Sequence, residues 1–256
     1  MRNCLAFAFL LTSSALFAQS RFDGTWEMKM DTLQFSGPPE DYLFEKGMYH
    51  CVSCVPKVDV KTDGTDQIVT GYNYDALAVR ILNDHAIKFT MKKDGKPFFE
   101  CVETVSPDDR AMTEEFTNTM EAETVTGKAG FTRVGKGPPG SHVLSGKWSM
   151  LTVKNATQAG TLTTYQSIAG GMKISDGSET YEAQFDGKDY PRDGDARSTV
   201  ALKLMDESTM VETEKQEGKT ITVTHMRVSR DGKSMEVESL DKLRGGTMSY
   251  TAEKRP

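Results

Sequence analysis

Gly24-Thr25-Trp26-Glu27-Met28 returns as Gly146-Lys147-Trp148-Ser149-Met150, 122 residues further along the chain. Outward from that pair the correspondence continues at an offset of 123. Asp63-Gly64-Thr65-Asp66 falls on Asp186-Gly187-Lys188-Asp189, Gly71 on Gly194, and Asp94-Gly95-Lys96 on Glu217-Gly218-Lys219. Val105-Ser106 then meets Val228-Ser229, Asp108 meets Asp231, and Met112 meets Met235. At the far end the offset is 122 again and Arg133 falls on Arg255. An ordered series that needs only single-residue gaps is the mark of a duplicated structural unit.

Between the copies runs Val134-Gly135-Lys136-Gly137-Pro138-Pro139-Gly140-Ser141, a stretch made of the residues that punctuate structure. The expected division is therefore a first unit over 21–134, a Gly/Pro linker over 135–143 and a second unit over 144–256. A unit of roughly 110 residues is long enough to bury a core of its own.

Inside each unit the apolar residues recur at every second position. Ile87, Phe89 and Met91 alternate with Lys88, Thr90 and Lys92, and Val58 and Val60 with Lys57, Asp59 and Lys61. The second unit repeats the habit with Val200, Leu202 and Leu204, with Ile221 and Val223, and with Met235 and Val237. That period belongs to half-buried antiparallel strands. Asp63-Gly64, Asp94-Gly95, Asp186-Gly187, Asp193-Gly194, Glu217-Gly218 and Asp231-Gly232 supply turn residues that tolerate positive φ. No capped amphipathic helix is evident, which argues against a parallel sheet with crossover helices. The expected fold is all-β: two tandem antiparallel up-and-down β-barrels of about eight strands each, closed because closure removes exposed edges.

Each unit opens on Gly-x-Trp and closes on an arginine, and in this it resembles the lipocalin-like (calycin) barrels. In that family a Gly-x-Trp on the first strand packs beneath an arginine from the end of the barrel. The resemblance implies that Trp26, Arg133, Trp148 and Arg255 form the barrel floors, with a guanidinium stacked on indole adding on the order of 1 kcal/mol. The units are shorter than full lipocalins and lack a Thr-Asp-Tyr turn. The overall texture is similar to exported bacterial lipocalin-like proteins of unassigned role.

Residues 1–20 follow the three-part plan of a secretory signal peptide: Met1-Arg2-Asn3, an apolar run from Cys4 to Phe17, and Ala18-Gln19-Ser20. The run is about 14 residues against the roughly 20 that a membrane-spanning helix needs, so the mature chain is expected without a membrane span and secreted or periplasmic. Charged residues make up 27% of the chain and hydrophobic residues 37%, a globular composition. Without Arg2 the mature chain carries 30 Lys and Arg against 37 Asp and Glu, a net charge of −7, which argues against nucleic acid as a partner.

Cys51, Cys54 and Cys101 are the mature cysteines, all in the first unit. In an oxidising compartment they read as one disulfide and one spare thiol, with the pairing left open. No helix follows Cys54 to activate a thiolate for redox exchange. His50 with the three thiols has the ligand types of a metal site but lacks the usual second pair, and Val55 stands where a c-type haem needs histidine. His85, His142 and His225 show no metal-type spacing, and Asp186, Asp189, Asp193 and Asp195 fail the EF-hand pattern and read as turn residues. His225 shares the strand parity of Ile221 and Val223, which allows it a barrel interior or a rim. Glu114-Glu115 fall on opposite faces of one strand and make a poor acid–base pair. Serine-hydrolase, phosphate-loop and dinucleotide motifs do not occur.

The expected function is therefore non-catalytic, with no catalytic residues, cofactor or metal assigned: a barrel that binds a small, apolar ligand at its mouth. The alternative is a pair of solid barrels acting through their surface or the groove between them. Only the first unit has the cysteines, Phe98-Phe99 and the aromatic segment Tyr42 to Tyr49, so it is the expected binding copy.

Overall fold

The computed structural model describes residues 20–119, 123–176, 180–192 and 195–256. The expected signal segment, including Cys4, lies outside them up to residue 19, as do Asp193 and Gly194. In chain order the first strands are β1 (Gly24–Met28), β2 (Gln34–Ser36), β3 (Glu40–Glu45), β4 (Met48–Cys51), β5 (Val58–Lys61), β6 (Gln67–Ile68) and β7 (Ala76–Asn83). There follow β8 (Ala86–Lys93), β9 (Lys96–Val105), β10 (Ala111–Asn118), β11 (Val125–Lys136), β12 (Gly146–Lys154), β13 (Leu162–Ile168) and β14 (Gly171–Ser175). The last are β15 (Thr180–Gln184), β16 (Tyr190–Arg192), β17 (Asp195–Asp206), β18 (Thr209–Gln216), β19 (Lys219–Val228), β20 (Ser234–Asp241) and β21 (Thr247–Lys254).

They form two nearly closed antiparallel barrels, each a sheet of ten strands, with β2 added beside β21. Ten exceeds the expected eight because short pieces such as β6 and β16 are too brief to show an alternation. The seams close on the repeated Asp-Gly pairs. Gly64 N–H donates to the Val79 carbonyl at 2.9 Å and Gly187 N–H to the Leu202 carbonyl at 3.1 Å, bringing the β5 end of one sheet and the loop after β15 in the other back onto β7 and β17. Both glycines have positive φ, +82° and +72°, a conformation glycine adopts without a Cβ penalty.

The sequence repeat and the barrel are not the same unit. β12 lies between β11 and β3 in the first barrel, although its Gly-x-Trp opens the second repeat. β1 fills the matching slot between β13 and β21 in the second barrel. Each repeat thus donates its first strand to the barrel built by the other. β11 and β12 pair as consecutive antiparallel strands across the loop 137–145, as sequential strands commonly do. The Gly/Pro stretch expected as an inter-unit linker is that hairpin loop, inside the first barrel; punctuating residues serve either purpose. The chain passes between barrels at 37–39 and 155–161 instead.

Two separate cores result, one around Phe44, Ile87, Phe89 and Trp148, the other around Phe22, Trp26, Met172 and Leu202. The two tryptophans are anchored identically: Trp148 Nε1 donates to the Leu144 carbonyl at 2.8 Å and Trp26 Nε1 to the Phe22 carbonyl at 2.7 Å. Arg133 stands over Trp148, its register partner across the exchange. Over Trp26 the cation is Lys254, its own register partner, with Nζ 5.3 Å from the ring. Arg255, one residue on, faces away and pairs with Glu27 at 2.9 Å, because successive residues leave a strand on opposite sides. No helix among the described residues is long and apolar enough to cross a membrane.

Candidate functional site

The inward parity of β9 carries Phe99, Cys101, Glu103 and Val105, and that of β10 carries Met112, Glu114 and Phe116. The antiparallel register sets Glu103 directly opposite Glu114 and Cys101 opposite Phe116. Glu103 is 3% exposed, and its buried Oε2 has no hydrogen-bond partner. Burial first, then the charges of Glu114 and Glu40, hold the Glu103 carboxyl well above the ordinary carboxylate range. Glu114 is raised by burial and by Glu40, against a hydrogen bond with Cys101 that favours its ionised form. No cation contributes to either shift. Aromatic rings surround the pair: Tyr42 and Tyr49 lie 5.9 Å apart, Phe44 stacks on Tyr49 at 4.7 Å, and Phe99 stacks on Phe116 at 6.0 Å.

Glu40 connects this interior to the outside. It lies on the inward parity of β3 with Tyr42 and Phe44, and it also lines a groove of about 350 Å³ between the two barrels. The groove walls are mainly apolar, with Phe35, Pro38, Met150 and Met248, and Trp148 at the back. Across it, Arg244 from the β20–β21 turn of the second barrel holds Glu40 at 2.6 Å and donates to the Pro39 carbonyl at 3.1 Å. Glu40 also accepts from the Ser53 hydroxyl at 3.1 Å. Glu40 and Arg244 therefore answer each other and Asp241, also on the groove wall, accepts from the Leu243 and Arg244 amides, whereas Glu103 and Glu114 behind them have no cationic partner among the described residues.

The second barrel treats its buried acid differently. Glu212, 8% exposed, accepts from the Tyr181 hydroxyl at 2.6 Å. Arg192 lies over the Tyr181 ring, 5.3 Å from its centre, and holds Glu214 at 2.6 Å. Burial and then Glu214 push the Glu212 carboxyl up to about 7, opposed by the Tyr181 hydrogen bond and the Arg192 charge.

The remaining sequence candidates disperse. A disulfide joins Cys51 and Cys54, whose Cα atoms are 5.3 Å apart, and Cys101 is free and buried. His50 Nδ1 is hydrogen-bonded to Asp59, away from the thiols. Among the described residues no three His, Cys, Asp or Glu side chains are placed to hold a metal ion. His225 is exposed on the outer face of β19. Asp186 and Asp189 pair with Lys188 at 2.9 Å and Lys215 at 2.7 Å. Glu115 points outward to Lys128, while its neighbour Glu114 belongs to the interior pair. In the sequence Glu114 stands out only beside Glu115; its pairing with Glu103 is not visible there because the two are eleven residues apart and meet only across the β9–β10 register. The available signal was an acid at the inward parity of two otherwise apolar strands. Compared with protein-family models, curated proteins and solved structures, the chain has no match in any of the three.

Proposed function

We propose that this chain is a non-catalytic, lipocalin-like binding protein that takes a small ligand in the groove between its barrels, against the interior of the first. The observation that carries this reading is the groove itself: about 350 Å³ with apolar walls and one ion pair, Glu40–Arg244, at its polar end. Concave, mostly apolar sites with a few placed polar groups are the usual form of small-molecule sites. The exchanged strands support it, since they tie both walls of the groove into one covalent and hydrogen-bonded framework that holds its shape. The expected export through residues 1–20 places the encounter outside the cytoplasm.

Native mass spectrometry of protein purified gently from its own host tests the reading. A stoichiometric passenger that is lost from Met150→Arg, whose side chain fills the groove, is the expected result. A bare polypeptide mass for the native protein, together with no small-molecule shift of the Met150 and Met248 methyl resonances, overturns it.

A further inference from the structure

We infer that the ligand carries a primary or secondary ammonium group, seated between Glu103 and Glu114 inside the first barrel; this rests on the binding reading above and names its ligand class. The two carboxyls oppose each other across the β9–β10 ladder. The Oε2 of Glu103 is sealed from water yet has no donor, on a residue 3% exposed. Leaving a buried acceptor unmade is costly, so native structures satisfy nearly all of them. A group that enters here must donate hydrogen bonds and is favoured if it brings positive charge.

The second barrel shows what the first lacks. There the buried Glu212 carboxyl has a hydroxyl from Tyr181 and the guanidinium of Arg192 close by, although Gln216 Nε2, further along the same strand, is buried without a partner. In the first barrel no such complement reaches Glu103 or Glu114 among the described residues, and aromatic rings are their neighbours: Tyr42 and Tyr49 lie close enough to feel the Glu103 charge, and Phe116 follows Glu114 at the same parity of β10. Aromatic faces around carboxylates form a setting that stabilises organic ammonium groups through cation–π attraction and charge-assisted hydrogen bonds. Opposite Glu114 in the β10–β11 register stands Ala129, the smallest inward side chain after Gly127 on that strand. Glu40, at the groove wall, marks the side from which the ligand enters.

Titration follows from the geometry. Burial raises both carboxyls, and an ammonium seated between them favours their ionised forms, so its binding is expected to be linked to proton release and to tighten as pH rises. Isothermal calorimetry on the full mature chain tests this with ethylammonium, butylammonium and 2-phenylethylammonium, with 2-phenylethanol as the neutral isostere and calcium as a separate arm. Titrations at pH 6 and pH 8 in two buffers of different ionisation enthalpy count the protons.

The expected result is binding of at least one amine, at least tenfold tighter than the alcohol and tighter at pH 8. Proton release accompanies it, and both effects are lost in Glu103→Gln/Glu114→Gln with its circular dichroism unchanged. Equal binding of amine and alcohol overturns the ammonium assignment and leaves the barrel reading standing. So does calcium binding with the same proton release. No binding by any amine overturns it as well, and the native mass spectrum then decides separately whether the binding reading survives. If the double variant fails to fold, Glu114→Gln alone, at the less buried of the two carboxyls, decides in its place: amine preference and proton release unchanged from the native chain overturn the assignment.

Discussion

The guanidinium carbon of Arg133 stands 4.0 Å over the indole of Trp148, a residue of the other sequence repeat. Around the stack, Nε donates to the Asp109 carbonyl at 2.6 Å, Nη1 to Ser145 at 2.8 Å and Nη2 to Val143 at 2.6 Å. One planar cation thus closes the first barrel's floor by joining the β9–β10 turn, the β11–β12 loop and the exchanged strand. A lysine offers a point charge in place of that fork. Arg133→Lys is expected to cost about 1–3 kcal/mol of stability from the unmade carbonyl bonds, read as a lower urea midpoint. A loss under about 0.5 kcal/mol would show that the fork contributes no more than a surface charge.

Strand exchange couples the two barrels. Withdrawing β12 opens the first barrel, and withdrawing β1 opens the second, so neither barrel can come apart without disturbing the chain that completes its neighbour. Trp26→Ala removes a 1% exposed side chain from the second barrel and is expected to cost about 3–5 kcal/mol. Scanning calorimetry should show the wild type melting in one transition, and the variant lowering that single transition as a whole. Two resolved transitions, of which only one moves, would mean that the barrels unfold independently.

Cys101 is buried, and burial first, then Glu114 and Glu103, pushes its thiol well above the ordinary range. Reactivity belongs to the thiolate, so this cysteine is expected to be inert. Iodoacetamide should add nothing to the native mature chain at pH 8, one group after denaturation, and three after denaturation with reductant. Native labelling at one site would show that the first barrel opens far enough to admit the reagent.

The repeat and the period-two alternation made the all-β, two-barrel architecture legible, because both signals are local: Ile87, Phe89 and Met91 announce a strand wherever it pairs. Which strand sits beside which is not local. Nothing in Gly24-Thr25-Trp26 or Gly146-Lys147-Trp148 says that each serves the other repeat's barrel, since both fit either slot. The candidate site was hidden for the same reason. Its acids, Glu103 and Glu114, look like ordinary charged residues among others, and acquire their chemistry from a cross-strand register and from the exclusion of water.

The interbarrel ion pair gives a test of the groove. Arg244 reaches from the second barrel to Glu40 on the first at 2.6 Å and is 22% exposed. Arg244→Met keeps the stem and removes the charge, leaving Glu40 with Ser53 alone. A partly buried pair that loses one partner is expected to cost about 1–2 kcal/mol. The same change frees Glu40 to attract a cationic ligand, so any ammonium affinity should rise while stability falls. Parallel loss of both would place Arg244 itself among the ligand's contacts.

Stability should also respond to pH through Glu212. Its carboxyl is held at about 7 in the folded chain, above its ordinary value of 4.5, chiefly by burial. A group raised on folding favours the folded state while both states hold the proton, and that contribution is lost as pH climbs from the ordinary value through the raised one. Glu103, raised by the same cause, acts in the same direction. The urea midpoint is therefore expected to fall between pH 5 and pH 8. Glu212→Gln keeps the side chain's size and still accepts from Tyr181, but it cannot ionise. Relative to wild type it should gain on the order of 1–3 kcal/mol at pH 8 and little at pH 5. An unchanged difference between the two proteins across that range would mean that Glu212 does not titrate there, and that Tyr181 and Arg192 keep it charged throughout.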